Sequence, residues 1–211
     1  MNQLKPLQML YEGKAKQIFA TNVPPFLWVR YKDEATAFNG QKKGVIAGKG
    51  EWNNRISALF FTLLKERGIP NHFERLLSPT EQLVRQVSIV PLEVVVRTKA
   101  AGSMAKRLGL EEGLELKRPI VEFYYKDDRL GDPLVTREHA EVLGWATADE
   151  LDEMTRLSLE VNRVLTALLR ERDVILVDFK LEFGRDSSGE LLLADEISPD
   201  TCRFWDAKTM E

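Results

Sequence analysis

Residues 178–183, Asp178-Phe179-Lys180-Leu181-Glu182-Phe183, alternate charged and apolar side chains with a period of two. Successive side chains of a strand point to opposite faces, so this segment commits the chain to a sheet with one dry face and one charged face. Phe179, Leu181 and Phe183 belong to the dry face; Asp178, Lys180 and Glu182 share the other. A polar turn over 185–189 follows, and 191–197 reads as the return strand, which brings Asp195 and Glu196 back to the same end of the sheet. Carboxylates converging beside one lysine suit a hard cation such as Mg²⁺, which takes oxygen ligands and borrows the rest from phosphates and water. The same pattern equally describes a solvated strand face laced with salt bridges.

Elsewhere the chain mixes short strands with helices. Residues 14–20 and 26–31 read as an antiparallel hairpin, with a turn at Gly13 before it and Asn22-Val23-Pro24-Pro25 between. Gly50 and Gly68 bracket a helix whose apolar stripe is Trp52, Ile56, Leu59, Phe60, Leu63 and Leu64. Ser78-Pro79-Thr80-Glu81 resembles a helix capping box, yet 81–87 and 73–77 read equally as short strands. Residues 91–97, Pro-Leu-Glu-Val-Val-Val-Arg, form the most β-prone run, and a lobe boundary falls just before it. A short helix over 103–109 is capped by Ser103, and 120–125 is a strand. Thr147 and Glu150 open a long helix that buries Leu151, Met154, Leu157, Val161, Val164, Leu165 and Leu168.

Several other segments could meet an anion. Gly13 feeds two lysines, Lys14 and Lys16, onto one strand face, although no Walker-type or Gly-x-Gly-x-x-Gly motif accompanies them. Arg97 lies at the end of the strongest strand and could clamp an anion bidentately. Ser198-Pro199-Asp200-Thr201-Cys202-Arg203 is a Pro-fixed loop that could grip a small anionic ligand or serve as a plain turn. Lys126 and the Gly131-Asp132-Pro133 turn read as a solvent-facing loop. Cys202 is the single cysteine, so no intramolecular disulfide or multi-cysteine zinc site is possible. With two histidines, His72 and His139, a histidine-rich metal site is not expected, and neither is read as a ligand. The 30 Lys plus Arg against 33 Asp plus Glu lack the basic excess of a nucleic-acid binder. Residues 1–11 lack the apolar run of a signal peptide, and no apolar stretch approaches the roughly 18 residues of a membrane span. The expected location is the cytoplasm.

Taken together, Tyr11-Glu12-Gly13-Lys14-Ala15-Lys16, Ala37-Phe38-Asn39-Gly40, Gly48-Lys49-Gly50, residues 91–97, Ala100-Ala101-Gly102-Ser103, Lys106-Arg107-Leu108-Gly109, residues 178–184 and residues 195–203 closely resemble the SAICAR synthetase family, in its order and over nearly the whole chain. The resemblance implies an α+β, two-lobed fold: an antiparallel β lobe over 1–88, an α/β lobe over 89–211, and ATP between them. It also makes 81–87 a strand. Family members usually continue past Trp205-Asp206 into a basic stretch and a final helix.

The implied activity is an ATP-dependent ligase of de novo purine biosynthesis. It joins carboxyaminoimidazole ribonucleotide to L-aspartate, giving SAICAR, ADP and phosphate through an acyl phosphate. By the same resemblance Lys14, Ala15, Lys16 and Lys180 meet the ATP phosphates, and Val84 and Arg85 lie near the adenine. Lys180 and Asp178 are implied as catalytic. Glu182 and Asp195 are implied as Mg²⁺ ligands, with Asp178 a third. Arg97, Ser103 and Arg203 would hold the ribonucleotide, joined by Lys126, Asp132 and Asp200. The implied partners are these small molecules, with no nucleic acid and no membrane, in a chain compatible with a homodimer. A small-molecule kinase and a non-catalytic nucleotide-binding module would share the same charge inventory; dependence of ADP release on aspartate separates them.

Overall fold

The computed structural model describes residues 3–37 and 42–210. The chain divides into two compact units: residues 1–88 with 184–194, and residues 89–183 with 195–211. A division at residue 88 alone therefore misses one segment, the tip of the last hairpin, which belongs with the first unit.

The first unit comprises β1 (Pro6–Glu12), β2 (Lys16–Thr21), β3 (Phe26–Tyr31), β4 (Glu34–Ala37), β5 (Lys42–Val45), α1 (Lys49–Glu66), β6 (Phe73–Ser78) and β7 (Glu81–Arg85). Its main sheet runs β1-β2-β3-β7-β6, antiparallel throughout, and β4 pairs with β5 separately. Val29, Tyr31 and Val84 form its buried centre, with Ile18 and Leu27 packed against them. Ser78-Pro79-Thr80-Glu81 closes the β6–β7 hairpin instead of opening a helix. The capping-type bonds are present, Thr80 N–H to Ser78 Oγ at 3.4 Å and Ser78 Oγ to Glu81 Oε2 at 3.1 Å, but they brace a turn.

Helix α1 has the expected period but turns a different face inward. Trp52 and Leu59 are 62% and 61% exposed, whereas Asn53, Asn54, Ser57, Phe60, Phe61 and Leu64 are buried. Asn54 explains part of the rotation: its amide donates to the backbone carbonyls of Ser78, Pro79 and Glu81, and a buried amide needs such partners. Gly50 lies within the helix because a Cβ there would sit 3.1 Å from the backbone of Tyr31 and Lys32.

The second unit carries β8 (Ser88–Lys99), α2 (Gly102–Leu108), β9 (Glu115–Tyr125), β10 (Leu134–Val135), α3 (Arg137–Val142), α4 (Ala148–Arg170), most of β11 (Val174–Arg185) and β13 (Cys202–Asp206); β12 (Leu191–Ala194) falls in the first unit. The strand order is β10-β9-β8-β11, with β13 antiparallel to β11. Alternation is strict along β8: Val90, Leu92, Val94 and Val96 are fully buried and the odd-numbered residues look the other way. Phe179, Leu181 and Phe183 are buried as their spacing requires, and α4 buries Leu151, Met154, Leu157, Val161, Val164 and Leu165. Thr147 caps α4 reciprocally with Glu150.

Three expectations about local structure change. Helix α2 begins at Gly102 with Ala101 as its N-cap residue and no side-chain cap, so Ser103 does not cap it. The return strand ends at Ala194, because Asp195 takes a left-handed backbone with φ of +59°. Strand β2 begins at Lys16, which leaves Lys14 in the preceding turn, so the two lysines do not share a strand face.

Within the first unit, Gly184 sits where an added Cβ would lie 2.6 Å from Val87 Cγ2 and 3.1 Å from the Ser88 carbonyl. We expect Gly184→Ala to destabilise the protein by about 1–3 kcal/mol through overpacking. A shifted urea midpoint reads this; an unchanged midpoint would mean the backbone yields without penalty.

Candidate active site

The charged face of the second unit's sheet collects Glu93 and Arg97 from β8, Glu122 and Tyr124 from β9, and Asp178, Lys180 and Glu182 from β11. The β8–β9 register sets Glu93 opposite Tyr124 and Val95 opposite Glu122. These groups sort into two clusters.

The first centres on Lys180. Its ammonium donates to Glu93 Oε1 and to Glu182 Oε1, both at 2.8 Å. Lys126, just past the end of β9, donates to the other oxygen of Glu182. Burial alone would depress the Lys180 ammonium, but Glu182, Asp195 and Glu93 outweigh it and hold its pKa well above the ordinary lysine value. Lys180 is therefore a fixed cation and cannot serve as a general base near neutrality. Glu182 is only 2% exposed, and both of its oxygens face ammonium groups. Among the described residues, no three His, Cys, Asp or Glu side chains form a group able to enclose a metal unaided. Glu182, bonded to Lys180, and Asp195, whose charge acts on the same ammonium, still offer hard oxygen donors of the kind Mg²⁺ takes when phosphates and water supply the rest.

The second cluster centres on Arg97, which is 4% exposed. Its Nε donates to Glu122 Oε2 at 2.6 Å and its Nη1 to Asp178 Oδ2 at 2.8 Å. Its Nη2 donates to Ser103 Oγ at 3.1 Å and to the Tyr124 hydroxyl at 3.0 Å. Arg107 donates to that hydroxyl at 3.1 Å and also to Glu122. Tyr124 in turn donates to Glu122 Oε2 at 2.8 Å. Arg203 pairs with Asp178 Oδ1 at 3.5 Å and reaches Glu112 at 3.4 Å. Burial pushes the Asp178 carboxyl above its ordinary range, and Arg203 and Arg97 pull it back only in part.

Asp178 thus joins the arginines, and the structure does not bring it to Glu182 and Asp195 as a third ligand. Arg97 is engaged at all three nitrogens, so the more exposed Arg203 and Arg107 are the guanidiniums placed to meet an incoming anion. Lys14 lies in the β1–β2 turn, where Gly13 N–H donates to the Lys16 carbonyl at 2.8 Å and Lys32 N–H to the Ala15 carbonyl at 2.8 Å. Lys16 Nζ stands 5.6 Å from the Tyr31 ring centroid. Val84 has its side chain in the first unit's core and its backbone between β3 and β6. Arg85 pairs with Asp186 at 3.4 Å and Glu74 at 3.6 Å. Asp132 sits in its turn with φ of +48°, and Asp200 is exposed on the 198–201 turn. Phe38-Asn39-Gly40 lies outside the described residues.

Glu93, Glu122, Tyr124 and Arg107 are site residues that the sequence reading passed over. Glu93 was reachable, since it stands four residues before Arg97 on the same strand face. Burial raises the Cys202 thiol to about 12, so little thiolate forms there near neutrality. His139 accepts from Thr136 N–H at 3.1 Å as half of a capping box, and His72 packs edge-on against Phe61 at 5.3 Å.

A sequence model of the SAICAR synthetase family matches residues 9–211. The chain belongs to the SAICAR synthetase family. A phosphoribosylaminoimidazole-succinocarboxamide synthase of Brevibacillus brevis is 65% identical over 204 residues, which are 97% of this chain and 85% of that relative. The crystal structure of the corresponding synthase from Ehrlichia chaffeensis superposes with a TM-score of 0.94 at 47% identity, covering 97% of this chain and 87% of that one. A SAICAR synthetase solved in complex with ADP gives 0.93 at 50% identity, covering 97% and 86%. The chain is accordingly an ATP-dependent ligase of purine biosynthesis, with the mixed α+β fold and antiparallel sheets of that family. None of the described helices is long and apolar enough to cross a membrane.

Proposed function

We propose that this SAICAR synthetase joins carboxyaminoimidazole ribonucleotide to L-aspartate through an acyl phosphate, in the cytoplasm. The observation that carries the reading is the pairing of two ion-pair clusters on one sheet face, one built on lysines and one on arginines. Strand rise separates Asp178 from Glu182 by about 13 Å, so one elongated anionic substrate can address both. The arginine cluster suits a phosphate, with Arg203, Arg107 and Ser103 outward and Arg97 beneath them. The Lys180 cluster suits the reacting carboxylate and the nucleotide phosphates. Lys14 and Lys16 are further phosphate contacts.

The chemistry follows from charge. A carboxylate is a poor acyl donor. Its oxygen attacks the γ-phosphorus of ATP and ADP departs, which leaves an acyl phosphate. The aspartate amine then attacks the acyl carbon, loses a proton, and expels phosphate. Lys180 remains positive through both steps and offsets charge gathering on the transferring oxygens. Glu182 and Asp195 would hold Mg²⁺, which when bound neutralises phosphate charge. Asp178 acts by orienting Arg97 and Arg203.

Activation by this route moves one oxygen from the substrate carboxylate into the released phosphate. Ribonucleotide labelled with ¹⁸O in its carboxylate is expected to yield labelled inorganic phosphate in step with product. Unlabelled phosphate, with the label retained in the amide or released to water, would exclude the acyl phosphate.

A further inference from the structure

Each oxygen of Glu182 already accepts from an ammonium, Lys180 at Oε1 and Lys126 at Oε2. A metal held there, as proposed above, would meet a like charge at either oxygen, and the two ammoniums are not equally held. Lys180 stands within β11, hydrogen-bonded to two carboxylates and under the field of Asp195. Lys126 pairs with Glu182, and its side chain is the more exposed of the two, 39% against 27%. Its backbone is anchored, with the N–H donating to the Pro91 carbonyl at 3.1 Å, so only the side chain needs to move.

We propose that the Lys126 ammonium is a displaceable stand-in for the metal on Glu182: it neutralises a buried carboxylate while the site is bare and yields that oxygen when a divalent cation arrives. A buried carboxylate without a counter-charge is strongly disfavoured, which explains why a cation should wait there. It also explains why the stand-in comes from the strand's end rather than its interior, since an exchanging group must reach water. Once released, the ammonium is available to the anions that accompany the metal. The proposal rests on the assignment of Glu182 as a metal ligand, and the experiment separates the two.

Mn²⁺ binding to the nucleotide-free protein, followed by electron paramagnetic resonance, tests it directly. Lys126→Ala and Lys126→Met both remove the competing charge, and each is expected to bind Mn²⁺ at least about tenfold more tightly than wild type. Adding Glu182→Gln to either variant is expected to abolish the gain. Equal affinity in wild type and both variants would overturn the proposal, as would a gain that survives Glu182→Gln. In parallel, Mn²⁺ affinity with ADP present is compared between wild type and Glu182→Gln. A drop supports the metal assignment; no drop overturns that assignment, while the nucleotide-free comparison still decides the role of Lys126.

Discussion

Glu182→Gln is expected to lower kcat by roughly a thousandfold or more at saturating substrates and ordinary Mg²⁺. The substitution keeps the side chain's size and one acceptor oxygen, so Lys180 retains a partner there and keeps its bond to Glu93. What is lost is a negative charge at a position that is 2% exposed, where no water can replace it. Two consequences follow together. The metal proposed to sit on Glu182 would lose a ligand, and Lys180 and Lys126 lose the carboxylate that holds both ammoniums in place. The expected signature is a collapse of kcat with an unchanged far-UV circular dichroism spectrum. Turnover near the wild-type level would remove Glu182 from the chemistry. Activity recovered by raising Mg²⁺ would instead show that the loss lies in metal affinity alone.

How much of this site the sequence discloses depends on what periodicity can encode. The alternation along 178–183 reveals which side chains share a face, and the buried Phe179, Leu181 and Phe183 show that the dry face is as read. Alternation says nothing about position along the strand. Asp178 and Glu182 share a face and are still about 13 Å apart by strand rise, which is why one goes to arginines and the other to lysines. Reading them as ligands of a single cation merged two sites into one.

Cross-strand partners are harder still. Glu122 meets Arg97 because β9 runs antiparallel to β8 in the register that sets it opposite Val95. A slip of one residue would send Glu122 to the other face, and nothing local in 115–125 fixes that register. The same limit applies to α1. Its helical period was legible, but the inward face includes Asn54, whose burial depends on three carbonyls of a turn some 25 residues away in the chain. Asp195 shows a third kind of limit. Hydrophobic pattern continues through Ile197, yet the backbone turns left-handed at Asp195, a conformation that a non-glycine residue holds only when its surroundings demand it.

Arg203→Ala is expected to raise the KM for the ribonucleotide by roughly ten- to a hundredfold, the loss of one or two charge-assisted hydrogen bonds, with little change in the KM for ATP. The geometry makes the selectivity testable. Asp178 keeps its 2.8 Å bond to Arg97 when Arg203 is removed, so the cluster does not open and the buried carboxylate is not orphaned. Gly102 gives an independent handle on the same guanidinium. A Cβ at that position would run into the Arg203 terminal nitrogens, with the central carbon of the guanidinium 3.1 Å away, and the backbone there has φ of +53°. Gly102→Ala therefore displaces Arg203 without deleting it and adds about 1–2 kcal/mol of left-handed strain. If Arg203 acts by touching the ribonucleotide, both variants raise the same KM, and combining them adds little because the displaced group is already absent. If Arg203 acts only as a brace, Arg203→Ala instead lowers thermal stability and raises both KM values alike, whereas Gly102→Ala lowers stability in either case through its own backbone strain. The ribonucleotide KM against the ATP KM distinguishes these outcomes, and a double-mutant cycle on the ribonucleotide KM tests the link between the two positions: strong non-additivity shows that Gly102→Ala acts through Arg203, whereas additive effects would separate Gly102 from Arg203 and leave the close approach of the two without a role in binding.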